Sequence, residues 1–183
     1  MVFADVSGKG ISAAIVAATL QGIVHSQFLA RQPLSAIAAV VNSFLYTRKV
    51  GKYATMVLLK FFPDGNLEYM NCGHIPPFAI LGPRIQRLEE SGLVVGLIAG
   101  AAYRSAHYKL QLGERLLVVS DGVTEAEDIE GNQFGDSGLE VVANLENLSA
   151  ILDHVRRFHA PNPSQDDCAL LEIEYTGETA VHR

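Results

Sequence analysis

Apolar residues recur at helical spacing near the start of the chain and at strand spacing after it. Two stretches carry a helical apolar face, one from Ile11 to Phe28 and one that opens at Pro33 and reaches Leu45. Because they are close neighbours along the chain, an αα-hairpin is expected. From residue 54 onward the apolar residues come in shorter runs, which are typical of strands.

The central region predicts a series of short strands. These strands cover Ala54–Phe62, Leu67–Cys72, Phe78–Leu81, Ile85–Leu88, Tyr103–Leu110 and Arg115–Ser120. The turn signal at residues 63–66 (PDGN) makes the first two a hairpin. Helical patterns return at Leu139–Asn144 and Leu148–His159, and Ala169–Tyr175 predicts a closing strand. This order predicts an α+β fold with a largely antiparallel sheet, in a single domain over residues 1–183.

Charge and composition narrow the class of protein. The chain of 183 residues has 14 basic and 20 acidic side chains, a formal net charge of −6, which argues against a nucleic-acid partner. Its two cysteines form no CxxC pair, which indicates a reducing compartment. The apolar stretch from Ile11 to Ala30 contains the polar residues Gln21 and His25. We therefore expect a cytoplasmic protein without a membrane span.

Carboxylates follow or precede several of the predicted strands. Asp5 comes after the apolar residues 2–4, Asp121 follows the strand that ends at Ser120, and Asp166 and Asp167 precede the last strand. Carboxylate oxygens favour hard cations such as Mg²⁺ or Mn²⁺, and their mutual repulsion would require such an ion if they converge. An aspartate beside a glycine at a strand end is equally typical of a turn. The residues alone leave both interpretations open.

The stretch FADVSGKGISAA at residues 3–14 is not a Walker phosphate loop. That motif needs a glycine where Phe3 stands and a serine or threonine where Gly10 stands. EF-hand, HExxH and zinc spacings are also missing from the sequence.

An ordered series of motifs resembles a known family. The motifs are Asp5-Val6-Ser7-Gly8-Lys9-Gly10, Asn71-Cys72-Gly73-His74-Ile75-Pro76-Pro77, Ser120-Asp121-Gly122, Phe134-Gly135 and Gln165-Asp166-Asp167. In this order they are similar to the signature of the stage II sporulation protein E-like phosphatases, the bacterial branch of the PP2C (PPM) serine/threonine phosphatases. The resemblance covers nearly the whole chain.

The resemblance implies a fold and a reaction. The fold is a PP2C-like α-β-β-α sandwich of two antiparallel sheets flanked by helices. In the reaction, two Mn²⁺ or Mg²⁺ ions hold a water or hydroxide that attacks a phosphoserine or phosphothreonine in line. The expected substrate is a phosphorylated regulatory protein of the anti-sigma-factor antagonist type, which implies a role in partner switching.

The resemblance also assigns roles to individual residues. Asp5 matches the aspartate that bridges both metals, and the backbone carbonyl of Val6 matches a further ligand. Asp121 matches the ligand of the Ser-Asp-Gly motif. Asp166 matches the last ligand, with Asp167 as the alternative by one position.

Two further residues are assigned less directly. Lys9 lies near the expected position of the phosphate and is a candidate for substrate binding, or else a solvated loop residue. His74 is expected to hold the structure of its turn rather than to act as a general acid.

The family pattern has an acidic "GGD"-type segment upstream of the first motif, whereas only four residues precede Asp5 here. We therefore expect an N-terminally truncated version of the fold, with an exposed sheet edge beside Val2–Ala4 that a partner or a second copy covers. An alternative function follows from the missing segment: a catalytically impaired, phosphatase-like binding module in a signalling pathway.

Overall fold

The structure is a computed structural model that describes residues 1–47, 51–142, 147–159 and 167–177. Its chain divides into two compact units. The first unit consists of Met1–Phe62, Asn66–His74 and Glu90–Lys109, and the second of Pro63–Gly65, Ile75–Glu89 and Leu110–Arg183. The expectation of one domain over the whole chain stays a prediction.

A mixed sheet and two helices form the first unit. The strands are β1 (Val2–Val6), β2 (Ala54–Phe61), β3 (Asn66–Cys72), β6 (Ser91–Gly92) and β7 (Ala106–Lys109), and the helices are α1 (Ile11–Leu29) and α2 (Leu34–Thr47). The strand order is β1-β2-β3-β6, and β7 also pairs with β3. Every pairing is antiparallel except the short contact of β3 with β6.

An all-antiparallel sheet and three helices form the second unit. The strands are β4 (Phe78–Leu81), β5 (Arg84–Arg87), β8 (Arg115–Val119) and β9 (Leu170–Glu174), in the order β5-β4-β8-β9. The helices are α3 (Asp121–Thr124), α4 (Gly135–Val142) and α5 (Leu148–His159). The predicted α+β class and two sheets are confirmed.

Each unit has its own apolar core. In the first, α1 buries Val16, Leu20 and Val24 at helical spacing, and they pack with α2 and the sheet residues Met56 and Met70. In the second, the core side chains come from β4, β8, the helices and the residue just before α4, and are Phe78, Ile80, Leu117, Val119, Val123, Phe134, Leu139 and Ile151. Burying a leucine or phenylalanine contributes about 1.5–3 kcal/mol, so each unit has substantial apolar stabilisation.

Several predicted boundaries were wrong by a few residues. Asp5 lies within β1, which ends at Val6, rather than after the strand. The helix predicted from Leu139 begins at Gly135, and the strand predicted from Tyr103 begins at Ala106. As expected, Val2–Ala4 lie in a strand at the edge of the described sheet.

Helix α1 is long and apolar enough to cross a membrane by length and composition, which is weak evidence for a span. It packs in this structure against α2 and the sheet of the first unit.

Candidate metal and phosphate site

The loop after Asp5 is anchored by the two residues just before β2. Asp5 is exposed and lies opposite Thr55 in the β1–β2 register. The N–H of Ser7 donates to the carbonyl of Tyr53 (2.9 Å), and the Ser7 hydroxyl accepts from the N–H of Tyr53 (3.0 Å). The ammonium of Lys52 donates to the Ser7 carbonyl (2.9 Å). These bonds hold the chain on the C-terminal side of the Asp5–Val6 pair.

Two glycines give this loop its shape. Gly8 has φ +85° and Gly10 has φ +80°, a region that other residues rarely adopt. A Cβ at Gly8 would lie 2.7 Å from the Lys52 ammonium nitrogen, so the loop and the lysine approach closely. Lys9 lies between the two glycines, exposed and directly before α1. The structure therefore presents Lys9 at the surface of the loop that follows the strand of Asp5.

His74 is held from several sides in the same unit. Its Nδ1 lies 2.8 Å from the Thr55 hydroxyl, and its ring centroid lies 5.2 Å from that of Phe3. The Asn71 side chain accepts from the His74 N–H (2.7 Å) and donates to the His74 carbonyl (2.9 Å). With 7% of its surface exposed, His74 has the surroundings of a structural residue. This supports the expectation that it organises its turn.

Cys72, in the same turn, is not a reactive thiol. It is fully buried, and this burial raises its pKa to about 12. Because the thiolate is the reactive form, the side chain stays neutral and inert near neutral pH. Burial also raises the pKa of the nearby Tyr103 to about 12.

Asp121 begins α3 directly after β8. It is half-buried, and its Oδ1 accepts from the N–H of Gly122 (2.8 Å). Asp167 is exposed, whereas Asp166 lies outside the residues that the structure describes. The Asp167 carbonyl accepts from the Ser120 hydroxyl (3.0 Å), which links the segment before β9 to the end of β8.

The donor atoms have the right chemistry for a hard cation. Asp5 and Asp121 offer carboxylate oxygens that solvent reaches, and Val6 offers a backbone carbonyl, a set that fits Mg²⁺ or Mn²⁺. Asp5 belongs to the first unit, and Asp121 and Asp167 to the second. Within the described parts of the chain, no group of three or more His, Cys, Asp or Glu side chains lies close enough to hold a metal. Their convergence therefore stays a prediction.

The sequence did not reveal the contacts of three residues that organise these loops. Lys52 carries no motif that points to Asp5, and Thr55 was predicted only as part of the strand Ala54–Phe62. Ser120 was predicted only as the last residue of the strand Arg115–Ser120 and as part of Ser-Asp-Gly. The Asn71-x-x-His74 spacing was the one available signal, since asparagine side chains commonly bond to backbone groups of nearby residues.

The chain belongs to the family described as Stage II sporulation protein E (SpoIIE), whose profile matches residues 1–176. It is 28% identical over 137 residues to phosphoserine phosphatase RsbU of Bacillus subtilis, and 33% identical over 97 residues to protein IcfG of Synechocystis. The alignments cover 70% and 51% of this chain, but only 39% and 15% of those proteins. The chain thus corresponds to part of each relative.

Solved structures show the same fold. The RsbU and RsbW domains of Rv1364c from Mycobacterium tuberculosis match 97% of this chain and 52% of theirs, with TM-score 0.78 and 24% identity. The PP2C phosphatase domain of SpoIIE from Bacillus subtilis matches 94% and 54%, with TM-score 0.73 and 16% identity. The catalytic domain of the phosphatase PstP, solved with two manganese ions, matches 92% and 84%, with TM-score 0.67 and 11% identity. The fold is therefore that of the PP2C phosphatases.

Proposed function

We propose that this chain is a metal-dependent protein serine/threonine phosphatase that hydrolyses phosphoserine or phosphothreonine. The observation that carries the proposal is the anchored loop after Asp5, which Lys52 and Tyr53 hold and in which Lys9 is exposed between two glycines. Membership of the SpoIIE family and similarity to phosphoserine phosphatase RsbU support the reaction class.

Each residue has a defined part in this proposal. Asp5, the Val6 carbonyl, Asp121 and Asp166 hold two Mn²⁺ or Mg²⁺ ions, with Asp167 as the alternative to Asp166. When bound, these ions supply Lewis-acid chemistry and a lowered pKa for water. The PstP structure with two manganese ions supports this cofactor.

Lys9 neutralises charge on the phosphate oxygens of the substrate, and the glycines on either side of it let the backbone approach the phosphate closely. Lys52 acts on the loop rather than on the substrate, because its ammonium bonds to the Ser7 carbonyl.

The proposed substrate is a phosphorylated regulatory protein of the anti-sigma-factor antagonist type, in a cytoplasmic partner-switching pathway. The similarity to RsbU and to the RsbU and RsbW domains of Rv1364c supports this choice. The net charge of −6 is consistent with a protein substrate and no nucleic-acid partner.

Manganese-dependent hydrolysis of p-nitrophenyl phosphate and of a phosphoserine protein tests the proposal. Asp5→Asn and Asp121→Asn should each lower the rate by about 100-fold or more, because each loses a charge that holds the metal. Asp153→Asn is a matched control, since Asp153 is exposed on α5 and pairs with the neighbouring helix residue Arg156 (3.6 Å). It should keep wild-type activity.

Chelation by EDTA should abolish turnover, and Mn²⁺ should restore it. Turnover that survives chelation, or that Asp121→Asn leaves unchanged, would contradict the metal-dependent reaction. A folded wild-type chain that binds the phosphorylated partner without turning it over would favour the binding module instead.

A further inference from the structure

Ser120 occupies a capping position without capping its helix. It is the N-cap residue of α3, with φ −78° and ψ 164°, and a serine there ordinarily accepts a bond from the first turn of the helix. Its hydroxyl makes no such bond to the described residues of α3. It accepts from the N–H of Ala169 (2.9 Å) and donates to the carbonyl of Asp167 (3.0 Å). Ser120 is 6% exposed, and its hydroxyl bonds inside the protein to the segment before β9 rather than to its own helix.

The geometry of the β8–β9 ladder explains this diversion. The last regular pair is Val119 with Leu170, and the N–H of Ser120 still donates to the Ala169 carbonyl (2.9 Å). The reciprocal bond would use the Ser120 carbonyl, but that carbonyl accepts from the N–H of Val123 in α3 (3.1 Å). The Ser120 hydroxyl accepts from the N–H of Ala169 in place of the Ser120 carbonyl. One residue therefore lets the chain turn into α3 while it stays bonded to the segment before β9.

A second side chain, from the segment just before β9, bonds to the same region of α3. The thiol of Cys168 donates to the carbonyl of Gly122, with 3.0 Å between Sγ and the oxygen. The residues on both sides of Asp121 are thus bonded to residues 167–169, one through a hydroxyl and the other through a thiol. All these groups belong to the second unit.

We propose that Ser120 and Cys168 are positioning residues that hold Asp121 in register with Asp167, the acidic residue at the start of the 167–169 segment. This rests on the proposed function, in which Asp121 and one of the adjacent acidic residues are metal ligands. The hydrogen bonds join the backbone beside Asp121 to residues 167–169, so the separation of Asp121 and Asp167 is set before an ion arrives. Partners that orient ligands in this way typically change metal affinity by about 10–100-fold.

Mn²⁺ binding to the whole chain, measured from the electron paramagnetic resonance signal of free Mn²⁺, tests this role without any need for turnover. We expect Ser120→Ala and Cys168→Ala to weaken Mn²⁺ binding by about tenfold or more. Cys168→Ser should bind Mn²⁺ more tightly than Cys168→Ala and almost as tightly as wild type, because a serine hydroxyl can donate to the same Gly122 carbonyl. Ser105→Ala is the matched control, since it removes one serine hydroxyl bond, to Glu68 (2.8 Å), in the first unit.

Thermal unfolding in EDTA separates positioning from folding. Positioning predicts a loss of Mn²⁺ affinity in Cys168→Ala at a metal-free melting temperature close to that of Cys168→Ser. If Ser120→Ala does not fold, the comparison of Cys168→Ala with Cys168→Ser alone tests the positioning role. Wild-type Mn²⁺ affinity in both Cys168→Ala and a folded Ser120→Ala would overturn the inference.

The Asp121→Asn variant distinguishes this failure from failure of the proposed function. If Asp121→Asn loses Mn²⁺ while the Ser120 and Cys168 variants retain it, only the positioning role is wrong. If the wild-type chain binds no Mn²⁺, both proposals are wrong.

Discussion

The hydroxyl of Thr55 lies 2.8 Å from Nδ1 of His74, and Thr55 is the residue opposite Asp5 in the β1–β2 register. Directly opposed residues of an antiparallel pair have Cβ atoms about 4.5–5.5 Å apart. A change at His74 therefore alters the contacts of Thr55, which lies directly across from Asp5. The bond thus connects the buried turn that carries His74 to the strand that carries the first candidate ligand.

Replacement of His74 by alanine should destabilise the protein without removing a catalytic group. The variant loses the Thr55 bond and the ring contact with Phe3, while Asn71 can still bond to the backbone. We expect the free energy of unfolding to fall by about 2 kcal/mol, measured by urea denaturation. His107→Ala, at an exposed position of β7, should change it by less than about 0.5 kcal/mol.

Activity per folded molecule of His74→Ala should stay within about tenfold of wild type, a factor that corresponds to 1.4 kcal/mol of activation free energy. A loss of several orders of magnitude in kcat with unchanged stability would instead make His74 a general acid.

Gly96 should be intolerant of any side chain. Its φ is +97°, and an added Cβ would lie 2.8 Å from Cβ of Leu45 and 3.1 Å from the carbonyl of Lys52. Its N–H also donates to the side chain of the buried Asn42 (2.7 Å). Gly96→Ala should therefore lower the free energy of unfolding by about 3 kcal/mol.

Gly100→Ala is the matched control for that measurement. Gly100 also has a positive φ (+62°), but no described atom lies within 4 Å of its added Cβ. Gly100→Ala should lower the free energy of unfolding only through the added backbone strain, by about 1 kcal/mol. Equal losses in the two variants would show that the contact with Leu45 and Lys52 has no effect.

The longer helices and the hairpin were predictable because they contain enough residues for a repeating apolar pattern or a turn signal to be recognised. Helices α1 and α2 each carry a buried stripe over about three turns, α5 buries Ile151 and Val155 one turn apart, and the PDGN turn marks the β2–β3 hairpin. Strand β6 has two residues and α3 has four, too few for a pattern. The start of α4 was missed because its first turn, Gly135–Gly138, contains no apolar side chain that would mark the face.

The candidate ligands were predictable from motifs, but their supports were not. Asp5 and Asp121 stand in recognisable local sequences. The bond from Lys52 to Ser7 joins residues 45 positions apart, and the bonds from Ser120 to residues 167 and 169 join positions 47 and 49 apart. Such pairs depend on how strands meet in the fold, which a single sequence does not state.

The loop between α3 and α4 should respond to acid through Asp128. The pKa of Asp128 is lowered, first by the hydrogen bond from the Asn132 side chain (3.0 Å) and then by backbone N–H donors including Asn132 and Glu130. A lowered pKa means that the ionised side chain stabilises the loop fully above the ordinary value of 3.8. That stabilisation is lost as the pH falls through the pKa of the folded state.

Asn132→Ala should raise the pKa of Asp128 towards 3.8, because it removes the largest cause of the shift. Carbon-13 NMR titration of the Asp128 carboxyl group measures this change. Asn147→Ala, which removes an asparagine side-chain bond at the start of α5 (to the N–H of Ala150, 3.0 Å), should leave that titration unchanged. An Asp128 pKa that does not move in Asn132→Ala would contradict the assigned cause.

The exposed side of α1 should support self-association through the edge of the first sheet. Ile11 and Ile15 are 81% and 61% exposed, and α1 lies beside a groove at the edge strand β1. The groove is lined mainly by the apolar residues Val2, Ala4, Val6, Ala17, Leu20, Val24 and Met56. Exposed apolar surface next to a strand edge is the combination that favours association with another chain.

Sedimentation equilibrium over a range of protein concentrations tests this prediction with a pair of isoleucine variants. We expect the wild-type chain to dimerise and Ile15→Lys to raise the dissociation constant by about tenfold or more, because fully burying one isoleucine is worth about 1.5–3 kcal/mol. Ile129→Lys changes a residue of similar exposure, 71%, in the second unit and should leave the constant unchanged. Equal effects of the two variants, or a wild-type monomer at every concentration, would show that α1 is not the contact surface.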